Sequence, residues 1–342
     1  MKLRDIARAA GVSLTAVSLV LNEKPGVGAE KREQIKALLR ENGYVIRAPE
    51  KAEAPVQNIC FLKYGKHSYL VNGNPGFVTQ IIDAAEKECR RHGYNLLITS
   101  FQDPAAVDLP SLLAKDTTAG VILLGTELEN EDMAPFSRVT KPLVVVDNAV
   151  WGLPFSSVTM HNWDAILSAV EHLRSLGHRD IGFLYNSIPC SNDRDRRAAF
   201  EDSLRKIGLP FSEDKVYSIF PTMDGARESV LRLLDGGTVF PPALVANNDS
   251  IAIGALRALR ERGVRVPEDV SIVGFAGLPF SAMSDPPLTT VNVSCADIGH
   301  WAVRILHEWI RGRTDSPCRI FVETSLLVRG STGPCPIPAD HE

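Results

Sequence analysis

The sequence predicts two architectures in succession: a small three-helix head built on a helix-turn-helix, then a large α/β domain with parallel sheets. Three observations lead there. Two short helical patterns meet at a glycine within the first twenty-two residues. From Asn58 onward, short apolar runs alternate with amphipathic helices, which is how parallel strands covered on both faces read. Charge is also divided unevenly. Residues 1–47 carry a surplus of four positive charges, and the remainder carries a surplus of eight negative ones. A basic head on an acidic body suits phosphate attraction confined to one end.

In the head, Ile6, Ala7 and Ala10 form one apolar helix face. Gly11 ends that helix, since glycine takes the left-handed backbone without a Cβ penalty. Ser13 is a good N-cap for the second helix, whose inner face is Ala16, Val17, Val20 and Leu21. Its other face carries Leu14, Thr15, Ser18, Leu19 and Asn22. In a major groove, Ser, Thr and Asn bond phosphates or base edges, and apolar side chains meet thymine methyls. The spacing alone leaves a second reading open, an amphipathic helix whose Leu14 and Leu19 close a core edge. After a Pro/Gly loop at 23–28, Ile35, Leu38 and Leu39 mark a third helix, with Gly43 as its stop. Its Lys31, Arg32 and Lys36 suit either phosphates or a solvated face.

With 342 residues the chain has room for two or three domains. No run approaches the roughly 18 apolar residues of a membrane span, and no apolar signal-peptide core follows Met1. A cytoplasmic protein with no membrane partner is expected. Cys60, Cys89, Cys190, Cys295, Cys318 and Cys335 are scattered without a CxxC pair, which reads as buried free thiols rather than zinc ligands or disulfides. No metal and no cofactor is expected. No Gly-x-Gly-x-x-Gly follows a strand, and no P-loop or nucleophile triad stands out, so the pattern is not that of an enzyme. The acidic groups Glu86/Glu88 and Glu127/Glu129/Glu131 read as surface charge.

In the large domain, Ile59–Leu62, Leu96–Ile98, Gly120–Leu124, Leu143–Asp147, Ile181–Leu184 and Val270–Phe275 read as strands. Helices from about Phe77 to His92, Ala165 to Leu176 and Ile251 to Arg262 each end at a glycine. Residues 45 to 57, with their prolines and charges, read as a linker.

The stretch Leu3-Arg4-Asp5-Ile6-Ala7, Ala10-Gly11-Val12-Ser13, Val17-Ser18 and Val20-Leu21-Asn22 resembles the headpiece of the lactose-repressor (LacI/GalR) family of bacterial transcription regulators. The resemblance extends over almost the whole chain. It implies a DNA-binding headpiece at 1–45, a hinge at 46–57, and a two-lobed, periplasmic-binding-protein-like ligand and dimerisation domain at 58–342. Lobe 1 would hold about 58–154 and 289–314, lobe 2 about 156–286 and 319–335, with crossings near 153–157, 285–290 and 313–320. The implied partners are double-stranded operator DNA, a small-molecule effector such as a sugar or related metabolite, and a second copy of the chain. A repressor is the expected activity. The competing class is a solute-binding protein without DNA function, against which the basic head speaks.

The resemblance assigns roles to particular residues. Leu14, Thr15 and Leu19 would face base edges; Lys2, Ser13, Ser18, Asn22 and Lys31 would position phosphates; Ala16 and Tyr44 complete the DNA-binding set. Ala16 and Leu19 stand where the family commonly has Thr and Arg, so thymine methyls and shape are expected to count for more than guanine. Lys2 replaces the usual Thr cap. In the hinge, Ile46 takes the place of the turn proline and Glu53 that of the leucine that wedges into the minor groove, while Pro49 and Pro55 restrict a helix.

Strand ends nominate ligand contacts, as open α/β sheets favour: Lys63, Tyr64, Phe77, Phe101, Thr126 and Asp147 from the first lobe, Tyr185, Arg196, Asn248, Asp249 and Ala276 from the second. Arg196 stands at the Arg of the family's Arg-x-x-Gly-Phe, and Asn248-Asp249 heads its Asn-Asp-x-x-Ala-x-Gly-Ala helix. Each has a plainer reading. Asp147 could bond a crossover loop, Asp249 could serve a helix N-terminus, and Arg196 could belong to a solvated charge run. Ala276 replaces the family's ligand-binding aspartate, and His161 another usual aspartate. The effector is therefore expected to be less polyhydroxylic than a simple hexose.

Overall fold

The computed structural model describes residues 1–46, 57–73, 76–102, 108–113, 117–314 and 316–336. Pro49, Glu53 and Pro55 of the hinge lie outside the described residues. The chain divides into two compact units, Met1–Val56 and Gln57–Glu342.

The first unit holds three helices, α1 (Leu3–Ala10), α2 (Leu14–Leu21) and α3 (Ala29–Glu41). Gly11 adopts φ +64° between the first two, the backbone that the turn needs. Ile6, Ala7, Ala10, Val17, Val20, Ile35 and Leu39 make its core, with Leu21 and Leu38 packed alongside. This is the inner face read from the periodicity, apart from Ala16, which stays half-buried.

The second unit runs β1 (Gln57–Tyr64), α4 (Tyr69–Gly73), α5 (Phe77–Arg91), β2 (Tyr94–Phe101), α6 (Leu109–Leu113), β3 (Thr118–Leu124), β4 (Leu143–Val146) and β5 (Ser156–Met160). It continues with α7 (Asn162–Ser175), β6 (Ile181–Asn186), α8 (Ser191–Lys206), β7 (Val216–Ile219), α9 (Met223–Asp235), β8 (Ala243–Ala246), α10 (Asp249–Glu261) and β9 (Ser271–Ala276). Last come β10 (Thr289–Val293), α11 (Cys295–Ile310), β11 (Arg319–Val322) and β12 (Thr324–Leu327). Two six-stranded sheets result, ordered β11-β5-β4-β3-β1-β2 and β12-β10-β9-β8-β6-β7. All pairs are parallel except β10 with β12. Strands β3, β4, β8 and β9 are buried along their whole length, which is why each reads as an unbroken apolar run.

Each sheet is one lobe, and the chain crosses between them three times, later than expected from the family alignment. Strand β5 pairs with β4 in the first sheet, so the first crossing falls after Met160 rather than at 153–157. Strand β10 pairs with β9 in the second sheet and carries the next crossing past Val293, not 285–290. Strand β11 pairs with β5 in the first sheet, and only Glu323 separates it from β12 in the second. The lobe boundaries at 154/156, 286/289 and 314/319 move accordingly. In each case the chain completes a strand in one sheet before it leaves, since an unpaired strand end would forgo ladder hydrogen bonds.

Helices α5 and α11 lie side by side under the first sheet with almost no space between them. A Cβ on Gly299 would stand 2.3 Å from the Ile81 carbonyl oxygen and 2.9 Å from the Ala85 nitrogen. Both are backbone atoms and neither can turn away. Gly299→Ala is expected to destabilise the chain by about 1–3 kcal/mol through overpacking, despite the better helix propensity of Ala. A lower urea midpoint would show it; an unchanged midpoint would mean that the two helices part at no cost.

Candidate effector cleft and DNA-reading helix

The second helix of the head is capped as its sequence demands. Ser13 Oγ accepts from the Ala16 N–H at 3.1 Å. Lys2 offers no such oxygen at the start of α1, and Asp5 reaches back instead to accept from the Lys2 N–H at 3.0 Å. Leu14, Thr15 and Ser18 are exposed, while Ala16 and Leu19 are half-buried. These five form the outward face of α2. Asn22 turns its amide back onto the Ser18 carbonyl at 2.8 Å, and the Tyr44 hydroxyl donates to the Met1 carbonyl at 3.0 Å. Lys31 differs from expectation. Its ammonium bonds the Ala10 carbonyl at 3.1 Å and Gln34 at 2.9 Å, tying α3 to the end of α1 rather than standing free for phosphate. Glu23 similarly gathers Arg32 and Lys36 at 2.9 and 2.7 Å, and Lys36 above all holds its carboxyl below the usual range.

In the second unit a cavity of about 40 Å³ lies between the carboxyl ends of the two sheets. Six of the nominated residues line it: Phe77, Thr126, Asp147, Arg196, Asn248 and Ala276. Thr126 and Asp147 follow β3 and β4, and Ala276 ends β9. Asn248 caps α10, its Oδ1 accepting from the Ile251 N–H at 2.8 Å. Asp147 and Ala276 both take positive φ, +61° and +111°. Such backbone is strained for a residue with a Cβ and concentrates at binding sites.

Asp147 is buried. Its Oδ2 accepts from Thr126 Oγ1 at 2.6 Å, and its Oδ1 from Asn192 Nδ2 at 2.9 Å. Burial pushes its carboxyl up to about 6, against the pull of the Thr126 hydroxyl and the Arg196 guanidinium. Asn192 Nδ2 also donates to the Asp147 carbonyl at 2.9 Å. Asn192 belongs to α8 of the second lobe, so these bonds cross the cleft. They continue inward: Asn162 Nδ2 donates to Asn192 Oδ1, and Arg196 Nη1 donates to Asn162 Oδ1. At the rim, Arg194 of α8 pairs with Glu129 of the first lobe.

Five nominated residues lie elsewhere. Two of them, Lys63 and Tyr64, end β1, just before the segment held by Glu127. Its buried carboxylate accepts from the N–H groups of His67, Ser68, Leu70 and Val71 at 2.7–3.1 Å and folds α4 over the end of β1. Leu70 thereby reaches the cavity in place of residues of β1. Lys63 and Phe101 line a separate depression with Asn72, and Tyr64 packs in the core 5.5 Å from the Phe101 ring. Tyr185 packs against Phe183, with Arg197 over its ring. Asp249 is wholly buried away from the cavity. Its Oδ1 accepts from Thr290 Oγ1 at 2.6 Å and its Oδ2 from the Leu278 N–H at 2.8 Å. The plainer reading of Asp249, a structural charge at a helix start, fits its place.

Sequence reasoning missed Leu70, Met160, Cys190, Asn192, Asp193, Asn247 and Phe275 in the cavity wall. Glu88 and Glu127, read as surface charge, are buried. Burial pushes Glu88 up, but Arg91, Arg304, His300 and His92 outweigh it and leave its carboxyl below the usual range. Cys60, Cys89, Cys190 and Cys295 are buried and in no disulfide, whereas Cys318 is exposed. His161 does the work of the absent aspartate at the start of α7, its Nδ1 accepting from the Asp164 N–H. Among the described residues no helix is long and apolar enough to cross a membrane.

Residues 2–46 match the family profile of bacterial regulatory proteins, lacI family, and residues 170–332 match that of a periplasmic binding protein-like domain. The transcriptional regulator MalR of Streptomyces coelicolor is 33% identical over 350 residues, covering 98% of this chain and 97% of that protein. The chain belongs to the lacI family. It is a DNA-binding transcriptional regulator with a helix-turn-helix head and a two-lobed ligand-binding domain. Two solved structures are similar to the regulator over 97% of its length and 99% of theirs. One is the cellobiose complex of the transcriptional regulator CelR, at TM-score 0.72 and 26% identity. The other is a lac repressor dimer bound to operator and an anti-inducer, at 0.71 and 25%.

Asp249 gives the regulator a pH dependence. Burial raises its carboxyl from an ordinary 3.8 to about 7, so the folded state favours the protonated form. The stabilisation is complete below pH 3.8 and is lost as pH rises through about 7. Asp249→Asn cannot ionise, but it loses one acceptor for Thr290 or Leu278. It is expected to be less stable than the native chain at acidic pH, with the gap narrowing as pH rises from about 3.8 to about 7 and constant above that. Urea unfolding at a series of pH values reads this; a gap that widens with pH would contradict it.

Proposed function

We propose that this regulator is a homodimeric repressor acting in the cytoplasm, whose operator affinity is set by a small sugar-like effector between the two lobes. The set of hydrogen bonds from Asn192 to Asp147 across the cleft carries the reading, because a ligand there meets both lobes at once. Pockets that bury a small molecule run to about 300–1,000 Å³, far more than this cavity offers, so effector binding has to part the lobes. Parting them costs the cross-cleft bonds, and the effector replaces them. A lobe angle that differs between free and bound states is what couples the cleft to DNA.

The effector contacts are Arg196, Asp147, Thr126 and Asn248, with Phe77 and Ala276 on its apolar side. The reading head is Leu14, Thr15, Ala16 and Leu19 over base edges, with Lys2, Ser13, Ser18, Asn22 and Tyr44 along the phosphates. Two heads are needed because a single small module holds a site weakly. Leu97 and Ile98, 48% and 53% exposed on the edge strand β2, offer an apolar edge to a second copy. The cellobiose complex of CelR and the operator-bound lac repressor dimer support the effector class and the assembly.

A gel shift of the intact chain on DNA upstream of its own coding region tests the reading; no specific shift in any ligand state would remove it. A thermal-shift screen against metabolites identifies the effector, since a pocket binder stabilises by mass action. With that ligand, Arg196→Ala is expected to weaken the response of operator binding by about tenfold or more, the worth of a charged hydrogen bond. An unchanged titration would remove Arg196 from the contacts.

A further inference from the structure

The guanidinium of Arg196 is largely committed before any ligand arrives. Nη2 donates to Asp193 Oδ1 at 2.6 Å, Nη1 donates to Asn162 Oδ1 at 3.2 Å, and the plane lies over the Phe275 ring, 4.5 Å from its centroid. Recognition of a phosphate or carboxylate uses two parallel N–H groups of the arginine fork. Here Asp193 already takes one N–H of that fork, at Nη2, and supplies the opposite charge. Asp193, 1% exposed, is itself saturated. Its Oδ1 accepts from Arg196 and from Asn247 Nδ2, and its Oδ2 from Asn186 Nδ2 at 2.6 Å and the Cys190 N–H at 2.9 Å. Four donors fill the roughly four lone-pair sites of a carboxylate, so Asp193 has nothing left for a ligand.

What Asp193 does is aim its neighbours. By holding Nη2 of Arg196 and Nδ2 of Asn247, it leaves Arg196 Nε and Asn247 Oδ1 without a partner among the described residues. Arg196 is 7% and Asn247 0% exposed, and both line the cavity. One orphan is a donor and the other an acceptor. A hydroxyl can accept from the first or donate to the second; an anionic oxygen has no proton for Asn247. The charged groups of the wall are Asp147, Asp193 and Arg196, two carboxylates against one guanidinium. An anion would meet a cation that is already paired, in surroundings of low dielectric.

We propose that Asp193 sets the class of effector: by pairing Arg196 and orienting Asn247 it closes the cleft to anions and builds a donor–acceptor pair that reads an uncharged, hydroxyl-bearing ligand. The proposal rests on the cleft being the effector site. Asp193 acts as a positioning residue, through Arg196 and Asn247.

Inorganic phosphate is the probe. The full chain and its Asp193→Asn variant are melted in phosphate and in chloride at matched ionic strength and near-neutral pH. The native chain is expected to melt alike in both salts. Asp193→Asn removes the negative partner of Arg196, so its melting temperature should rise by about 2 °C or more in roughly 20 mM phosphate. Adding Arg196→Ala should abolish the rise. If Asp193 served packing alone, the variant would melt lower by the same amount in both salts, which would overturn the proposal. A phosphate-dependent rise in the native chain that Arg196→Ala removes would also overturn it. Should Asp193→Asn fail to fold, Asp193→Ser is carried through the same comparison. Failure of the cleft as effector site is separable, since it shows in the ligand titration of Arg196→Ala and leaves the phosphate result untouched.

Discussion

Two hydrogen bonds from one amide group hold the cleft together. Asn192 Nδ2, on the first turn of α8, reaches both the carbonyl and the carboxylate of Asp147 across the gap between the lobes. Asp147 can be reached because its backbone turns to φ +61° where β4 ends, presenting carbonyl and side chain on the same side. Everything deeper in the cleft is built on that contact. Asn162 hangs on Asn192, Arg196 on Asn162, and Asp193 on Arg196. A change in lobe angle therefore reaches the whole set, since none of these polar groups is near enough to water to find another partner cheaply.

Three buried aspartates share the region and are kept apart in function by their partners. Asp147 keeps lone pairs free and faces the cavity. Asp193 is saturated by four donors and acts on its neighbours. Asp249 ties the start of α10 to β10 and to the turn after β9. Gly274 is required for that last arrangement, because a Cβ there would stand 2.4 Å from the Asp249 carboxylate. The family's strand-end aspartate is absent at Ala276, and the negative partner of Arg196 comes from Asp193 on its own helix.

Much of this could be read in the sequence. The glycine turn, the Ser13 cap and the apolar faces of α1 to α3 follow from local periodicity and capping. The strands of the large domain follow from apolar runs, because strands covered on both faces need no alternation. Five cavity residues were legible because they stand at strand ends or helix starts, and Arg196 because it stands at the Arg of the family's Arg-x-x-Gly-Phe. Asn192 and Asp193 were not, since nothing local marks the face of α8 that turns to the cleft, and Asn247, which directly follows β8, was passed over for its neighbour Asn248. Glu127 and Glu88 were misread for a related reason. Their partners are backbone N–H groups about sixty residues away in one case and a helix more than two hundred residues away in the other. Sequence spacing carries no trace of either. The late crossings have a local cause, strand pairing within the original sheet, which an alignment by motif does not see.

The central claim is that the state of the cleft sets the affinity of the head for DNA. Operator binding by Asn192→Ala, with no ligand added, tests it most directly. That substitution removes both bonds from Asn192 to Asp147 and lies in the second unit, outside the head. Bonds of this kind contribute about 1 kcal/mol each, so the account predicts that operator affinity shifts by about fivefold or more from that of the native chain. Affinity unchanged within about twofold, in a variant that remains folded, would contradict it.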